Sequence, residues 1–334
     1  MLGADGKLDV SKAARSVAGV LASQLDARTR FRDLSRIPPG ERVAASPIVQ
    51  FYSSVDNIGN YLPVLGIHKM LGTSPDVWHA HDPDIDFDFI NGHYQGVIIG
   101  GAGLFHASFD RFWRRFVAEC DLPAIIWGVG LCAPDRATNF GVNRSLVNHH
   151  ASRFDLVNVR DDWTAEYYGL TAACVTACPT VIAVADVSSK EKRSGTLVVS
   201  HKALTGHDLD LAMKSAVKSI TRSVRFTDNI QRRTRGIQRI LRNDYARSEL
   251  VATSRLHGAI IAYGLRIPYV AFARDEKVRV FQRQFGNGQL VETIGELKAR
   301  VANGPFELKL TSLTDVLAFG KTARTWISSS CSVD

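Results

Sequence analysis

The sequence predicts an α/β protein of two successive domains, each built on a parallel sheet, with a ligand cleft between them. Three observations carry that expectation. Short apolar runs rich in Val and Ile recur without polar alternation, helical spacing follows most of them, and one polar, aperiodic stretch divides the series. A strand that is apolar along its whole length is buried on both faces, the state of a parallel strand covered by crossover helices. The 334 residues suffice for about two domains of roughly 150 each. With 45% hydrophobic and 22% charged residues, the composition excludes a disordered or collagenous chain.

Residues 1–45 read as a helical extension, because Lys12 to Leu25 has helical spacing of Ala, Val and Leu and Pro38-Pro39-Gly40 ends it. The first domain spans residues 46–185. Ile48 to Tyr52 is its first strand, with helical spacing resuming over Leu62 to Leu71. Gly96 to Ile99 opens a second unit, which turns through Gly100-Gly101-Ala102-Gly103 into a helix over Phe109 to Glu119. Pro123 to Trp127 opens a third. Leu156 to Val159 opens a fourth, passing through Arg160-Asp161-Asp162 into a helix over Trp163 to Tyr168. Residues 186–195 (DVSSKEKRSG) are charged and without periodicity, as expected of a linker. In the second domain, residues 196–334, strands are expected over Thr196–Ser200, Leu250–Thr253 and Tyr269–Phe272, with helices over Leu209–Ser219 and Leu256–Leu265. Ligand is expected where strand carboxyl ends meet the cleft.

The net charge of +8 is unevenly placed, with 20 Lys or Arg against 8 Asp or Glu between Lys190 and Arg283. Anionic partners should therefore meet the second half. Cys120, Cys132, Cys174, Cys178 and Cys331 form an odd, scattered set, and the polar start lacks the apolar core of a secretory signal. A reducing, cytoplasmic setting is the expectation. Leu250 to Ala273, the longest apolar stretch, is broken by Arg255, His257, Arg266 and Pro268, so it reads as strand, helix and strand and not as a membrane span.

Metal binding is not expected. Cys174 and Cys178 lack the second pair of a zinc site and read as buried small residues. His79, His81, His93 and His106 flank Asp82, Asp84, Asp86 and Asp88. Alternation of those acids with Ile85, Phe87 and Phe89 describes an edge strand with a solvated face more simply than a metal site.

Three stretches carry candidate chemistry. Gly100-Gly101-Ala102-Gly103 follows a strand, so its backbone could approach a ligand or simply make a tight turn; it has neither G-x-G-x-x-G spacing nor a Walker lysine. Arg160 at a strand end either pairs with Asp161 or Asp162 to cap the next helix, or holds an anion by its planar fork. Thr253-Ser254-Arg255-Leu256-His257-Gly258 is the most informative. It places a cation and a titratable group at a helix N-terminus, where backbone N–H groups attract anions, and Gly258 permits close approach.

Together these residues resemble the polysaccharide pyruvyl transferases. The resemblance runs through Asp56-Asn57-Ile58-Gly59-Asn60, the glycine turn, Val159-Arg160-Asp161, Ala177-Cys178-Pro179-Thr180 and Glu249 to Gly258. It continues into Gly264 to Pro268 and Lys277-Val278, and covers roughly residues 47–290. Asn60 departs from it, since many members carry aspartate there, and no catalytic role is assigned to that position. The resemblance implies two Rossmann-like domains with parallel sheets in a GT-B-like arrangement. It also implies transfer of a pyruvyl group from phosphoenolpyruvate onto two hydroxyls of a sugar in a polysaccharide or lipid-linked repeat unit, giving a ketal and phosphate, with no cofactor beyond the donor substrate. His257 and Arg255 would then be catalytic, and Arg160, Arg255, Leu256, Gly100, Gly101 and Gly258 would bind the donor. The chemistry suits these residues: phosphate and carboxylate call for cationic forks, and the methylene carbon needs a proton donor that histidine supplies.

Two other classes compete. A nucleotide-sugar glycosyltransferase or epimerase on the same architecture would take a sugar nucleotide. A non-catalytic binder of anionic glycan or nucleic acid would use the basic half and weaken steeply with salt; nucleic acid is not the expected partner. Arg232, Arg233, Arg235, Arg239 and Arg242 read as one face of a helix with a seam of Ile230, Ile237 and Leu241. That face is either simply solvated or, through Arg232, Arg235 and Arg239, a contact for lipid-linked acceptor at the inner face of an anionic membrane.

Overall fold

The computed structural model describes residues 31–132, 140–189, 191–200, 206–232, 235–286, 288–308 and 313–330. The helix expected over Lys12 to Leu25 lies outside them.

The first sheet is built from β1 (Ile48–Tyr52), β2 (Asp76–His79), β3 (Gly96–Gly100), β4 (Ala124–Val129), β5 (Phe154–Val159) and β6 (Cys174–Val175). Its order is β2-β1-β3-β4-β5-β6 and every pairing is parallel. The second sheet is built from β7 (Thr196–Val199), β8 (Val224–Thr227), β9 (Leu250–Thr253), β10 (Tyr269–Phe272) and β11 (Gln289–Val291), ordered β11-β10-β9-β7-β8 and again wholly parallel. The expected α/β architecture of two parallel sheets is therefore present. In each sheet the first strand lies between the second and the third, so the winding reverses there. That switch point opens a crevice at the strand carboxyl ends.

One apolar cluster joins the two sheets. It runs from the helix Ile58–Leu71 through Thr180–Val184 to Leu256–Gly264, and its members Ile67, Val181, Val199 and Ile261 are fully buried. Burial at about 25 cal/mol per Å² of apolar surface makes such a shared core the main force holding the domains together. The chain then returns. The last described helix, Thr314–Ser330, lies on the first sheet's side, with Trp326 Nε1 donating to Asp155 Oδ2 at 2.7 Å and Phe319 edge-on to Trp127. No helix among the described residues is long and apolar enough to cross a membrane.

Three expectations need correction. Asp82 to Asp88 is not an edge strand: Asp86 caps the helix Phe87–His93, its Oδ1 accepting from Phe89 N at 2.9 Å, and Phe87 and Ile90 are buried at helical spacing. Capping chemistry outweighed a short alternation that fits either structure. The arginine-rich segment does not form a helix from Arg232. Arg232 and Arg235 exchange two backbone hydrogen bonds as an isolated bridge, and helix begins only at Ile237, continuing as a π-helical stretch over Ile240–Tyr245; Arg233 lies outside the described residues. Ile237, Ile240, Leu241 and Tyr245 supply its buried face. Cys178 is buried as expected, but Cys174 is exposed on the edge strand β6.

Candidate functional site

The site begins where β9 ends. Thr253 Oγ1 accepts from Arg255 N at 2.9 Å and donates to Arg255 O at 3.0 Å, which pins the turn into the nine-residue helix Leu256–Gly264. The positive end of that helix faces the cleft. Arg255 is 8% exposed, and its Nη1 donates to Asp228 O at 2.7 Å. Burial lowers its pKa. Beside it, the buried Ser254 Oγ has no partner among the described residues.

His257 follows two residues after Arg255, half-buried and lining the cleft. Burial, aided by the cations Arg160, Arg255 and Lys277, holds its pKa well below the ordinary histidine value. The imidazole is therefore neutral at pH 7 in the free protein. Its Nε2 lies 3.8 Å from Cys178 Sγ, and the Cys178 thiol donates to Thr180 Oγ1 at 3.3 Å.

Arg160 comes from the opposite domain, at the end of β5. Its Nη2 donates to Leu131 O at 2.6 Å and its Nε to Asp161 Oδ2 at 3.3 Å. Asp161 meanwhile caps the helix Asp162–Tyr168 through Thr164 N at 2.8 Å. The pairing reading of this arginine is therefore present, and the residue also lines the cleft.

The cleft between the domains measures about 630 Å³. The first domain contributes Asn57, Asn60, Gly103, His106, Cys132 and Arg160; the second contributes Ser254 to His257, Arg274, Asp275 and Lys277. Asp275 caps the helix Glu276–Gln284 and pairs with Lys277 Nζ at 2.6 Å. The back of the cleft is tied across domains, with Ile58 N donating to Asn229 O at 2.9 Å and Gln231 N to Asp56 O. No cluster of His, Cys, Asp or Glu suited to a metal is found among the described residues.

Arg160, Arg255, Leu256 and His257 thus meet at one place. Gly100, Gly101 and Gly258 do not line it. Gly100 packs beside Gln50 and Ile67, Gly101 N donates to Trp127 O, and Gly258 lies on Thr253. It is Gly103, two residues on, that reaches the cleft. Arg232 and Arg235 are spent on Asp228 and Asp244, while Arg239 is exposed. Asn57, His106, Cys132, Arg274 and Asp275 went unassigned in the sequence. Asn57 lay in the run Asp56 to Asn60 that carries the resemblance; the signal of the other four was position alone, within a few residues of a strand's carboxyl end.

The polysaccharide pyruvyl transferase family model matches residues 57–276. No curated protein matches this chain by sequence. Among solved structures, the UDP-GlcNAc 2-epimerase of Methanocaldococcus jannaschii in complex with UDP-GlcNAc and UDP is similar with a TM-score of 0.53 at 12% identity, over 83% of this chain and 99% of that one. A candidate UDP-N-acetylglucosamine 2-epimerase from Listeria monocytogenes gives a TM-score of 0.56 at 10% identity, over 86% and 97%. At such identities the likeness shows the fold alone, the two-domain GT-B arrangement.

Proposed function

Because the chain belongs to the polysaccharide pyruvyl transferase family, we propose that it moves the pyruvyl group of phosphoenolpyruvate onto two hydroxyls of one sugar, in a polysaccharide or a lipid-linked repeat unit. The observation that carries this reading is the convergence of Arg160 and Arg255, from opposite domains, on a cleft that also holds His257 and a helix N-terminus. A small donor bearing phosphate and carboxylate suits two guanidinium forks better than one.

In this reading His257 protonates the donor's methylene carbon. The adjacent carbon becomes electrophilic and is attacked by the first hydroxyl. Phosphate then departs with a proton and the second hydroxyl closes the ketal, so two hydroxyl protons balance one gained by carbon and one by phosphate. A histidine neutral in the free protein needs that proton first. Bringing an anion against it offsets the three cations that depress its pKa, so donor binding and proton uptake are coupled. Arg160 and Arg255 orient the donor, and the closed back of the cleft keeps it against the histidine.

Contact with an anionic membrane or a lipid-linked acceptor belongs to the same proposal. It rests on Arg239 and Arg242, both exposed; the paired Arg232 and Arg235 offer less. A cytoplasmic setting fits a donor made inside the cell.

The test is phosphate release from phosphoenolpyruvate against a panel of aryl and lipid-linked sugars. Release that depends on one sugar, with a pyruvyl ketal recovered, supports the reading. Absence of release together with tight binding of a sugar nucleotide would turn it toward a nucleotide-sugar enzyme on the same fold.

A further inference from the structure

The two walls of the cleft differ in kind. The charges of the second domain's wall lie on Arg255, Arg274, Asp275 and Lys277, and Arg160 joins them from the end of β5. Four cations stand against Asp275 in the lining and against Asp161, which pairs with Arg160 behind it, a net +2 among the described residues. A donor with ionised phosphate and carboxylate carries three negative charges and uses up that surplus, leaving none for a second anion. The rest of the first domain's wall is Asn57, Asn60, Gly103, His106 and Cys132, groups that read hydroxyls and not charges.

Within that wall His106 has a fixed tautomer. Its Nδ1 accepts from Ser108 N at 3.2 Å and lies 2.9 Å from Ser108 Oγ, as the N-cap of the turn Ala107–Phe109. A nitrogen that accepts a backbone N–H carries no proton, so the neutral ring holds its proton on Nε2. Burial and the nearby Lys277 lower its pKa, which keeps the ring neutral at pH 7. Nε2 has no partner among the described residues, and the residue lines the cleft.

We infer that His106 is a fixed hydrogen-bond donor to a hydroxyl oxygen of an uncharged sugar, seated against the wall that Asn57 and Asn60 complete. The uncharged class of that sugar rests on the reading of the cationic wall as the donor site; the orientation of His106 does not.

Two substitutions separate this role from the cap. His106→Asn keeps an oxygen where Nδ1 caps Ser108 but loses the reach of Nε2. His106→Gln keeps an N–H near Nε2 and weakens the cap. Equilibrium binding of a panel of neutral p-nitrophenyl glycosides, and separately of phosphoenolpyruvate, is measured on wild type and both variants. The expected result is glycoside affinity at least about tenfold weaker in the Asn variant and within about threefold of wild type in the Gln variant, the range of one hydrogen bond. Phosphoenolpyruvate affinity should be unchanged in both. Loss in Gln with retention in Asn assigns His106 to the cap alone and overturns the inference, as does equal loss for both ligands. No glycoside binding by wild type also overturns it. Should wild type bind glycosides with the expected variant pattern but not phosphoenolpyruvate, the role of His106 stands and the donor reading falls.

Discussion

Gly59 of the first domain packs directly against the ring of His257 of the second. A Cβ placed on Gly59 would lie 2.6 Å from both Cγ and Nδ1 of that imidazole. The proposed acid is thus set by a close approach between domains as well as by its own helix. Gly59→Ala should push the ring aside while leaving both sheets intact. Displacing a reacting group by about 1 Å can cost on the order of 10²-fold in rate. Turnover should fall by about that factor with the melting temperature little changed; unchanged turnover would show that the ring's position is not limiting.

Removing the imidazole is more severe. His257→Ala should lower turnover by roughly 10²–10⁴-fold, the usual contribution of a positioned acid. The depressed pKa adds a sign. The free ring is neutral at pH 7, so donor binding should draw a proton from solution. Calorimetry of phosphoenolpyruvate binding in buffers of different ionisation enthalpy should show uptake in wild type and less in His257→Ala. Equal uptake in both would move the proton elsewhere.

Arg160→Lys and Arg255→Lys should each weaken donor binding by about tenfold or more, since one charge-assisted contact contributes about 1.5–3 kcal/mol. Lysine keeps the charge and loses the fork. Gly130 offers a control, because a Cβ there would strike Arg160 Nε. Gly130→Ala should therefore mimic the loss at Arg160. Donor affinity equal to wild type in all three would contradict the assignment.

His68 supplies a stability test away from the cleft. It is buried, its Nε2 lies 3.1 Å from Gln50 Oε1, and burial lowers its pKa to about 4. The unfolded chain takes up a proton near the usual value of about 6.5, whereas the folded one resists it. Stability is therefore full above pH 6.5 and falls as pH drops toward 4, by up to about 3 kcal/mol from this group. Denaturation midpoints for wild type and His68→Gln should converge at low pH; parallel curves would show that His68 is not the group responsible.

For the exposed arginines, Arg239→Gln with Arg242→Gln should weaken binding to anionic vesicles, at about 1 kcal/mol per cation. Reaction with a lipid-linked acceptor should slow while that with a short soluble sugar stays the same. Equal slowing on both would place the effect in folding or donor binding.

How far the sequence reached depended on the kind of signal. Strands such as Ile48–Tyr52 and Leu250–Thr253 were legible because burial on both faces leaves an unbroken apolar run. The pair Arg255 and His257 was legible because a strand, a polar turn and a small-residue helix define a helix N-terminus. The acids from Asp82 to Asp88 misled, since their period of two is also compatible with an Asp cap followed by a short helix. Gly100 and Gly101 misled for another reason: glycines at a strand end serve the turn's own packing before any ligand. His106, Cys132 and Arg274 could not be found by pattern. They are brought together only by the meeting of two switch-point crevices, a relationship between strands about 150–200 residues apart.

In the proposed reaction one donor anion bridges Arg160 and Arg255 with its methylene carbon at His257. A crystal structure with phosphoenolpyruvate bound tests it most directly. Both guanidinium groups should lie within hydrogen-bond distance of the donor's phosphate or carboxylate, with the imidazole in contact with the methylene. A donor bound more than one water's reach from either arginine, or outside the cleft altogether, would contradict it.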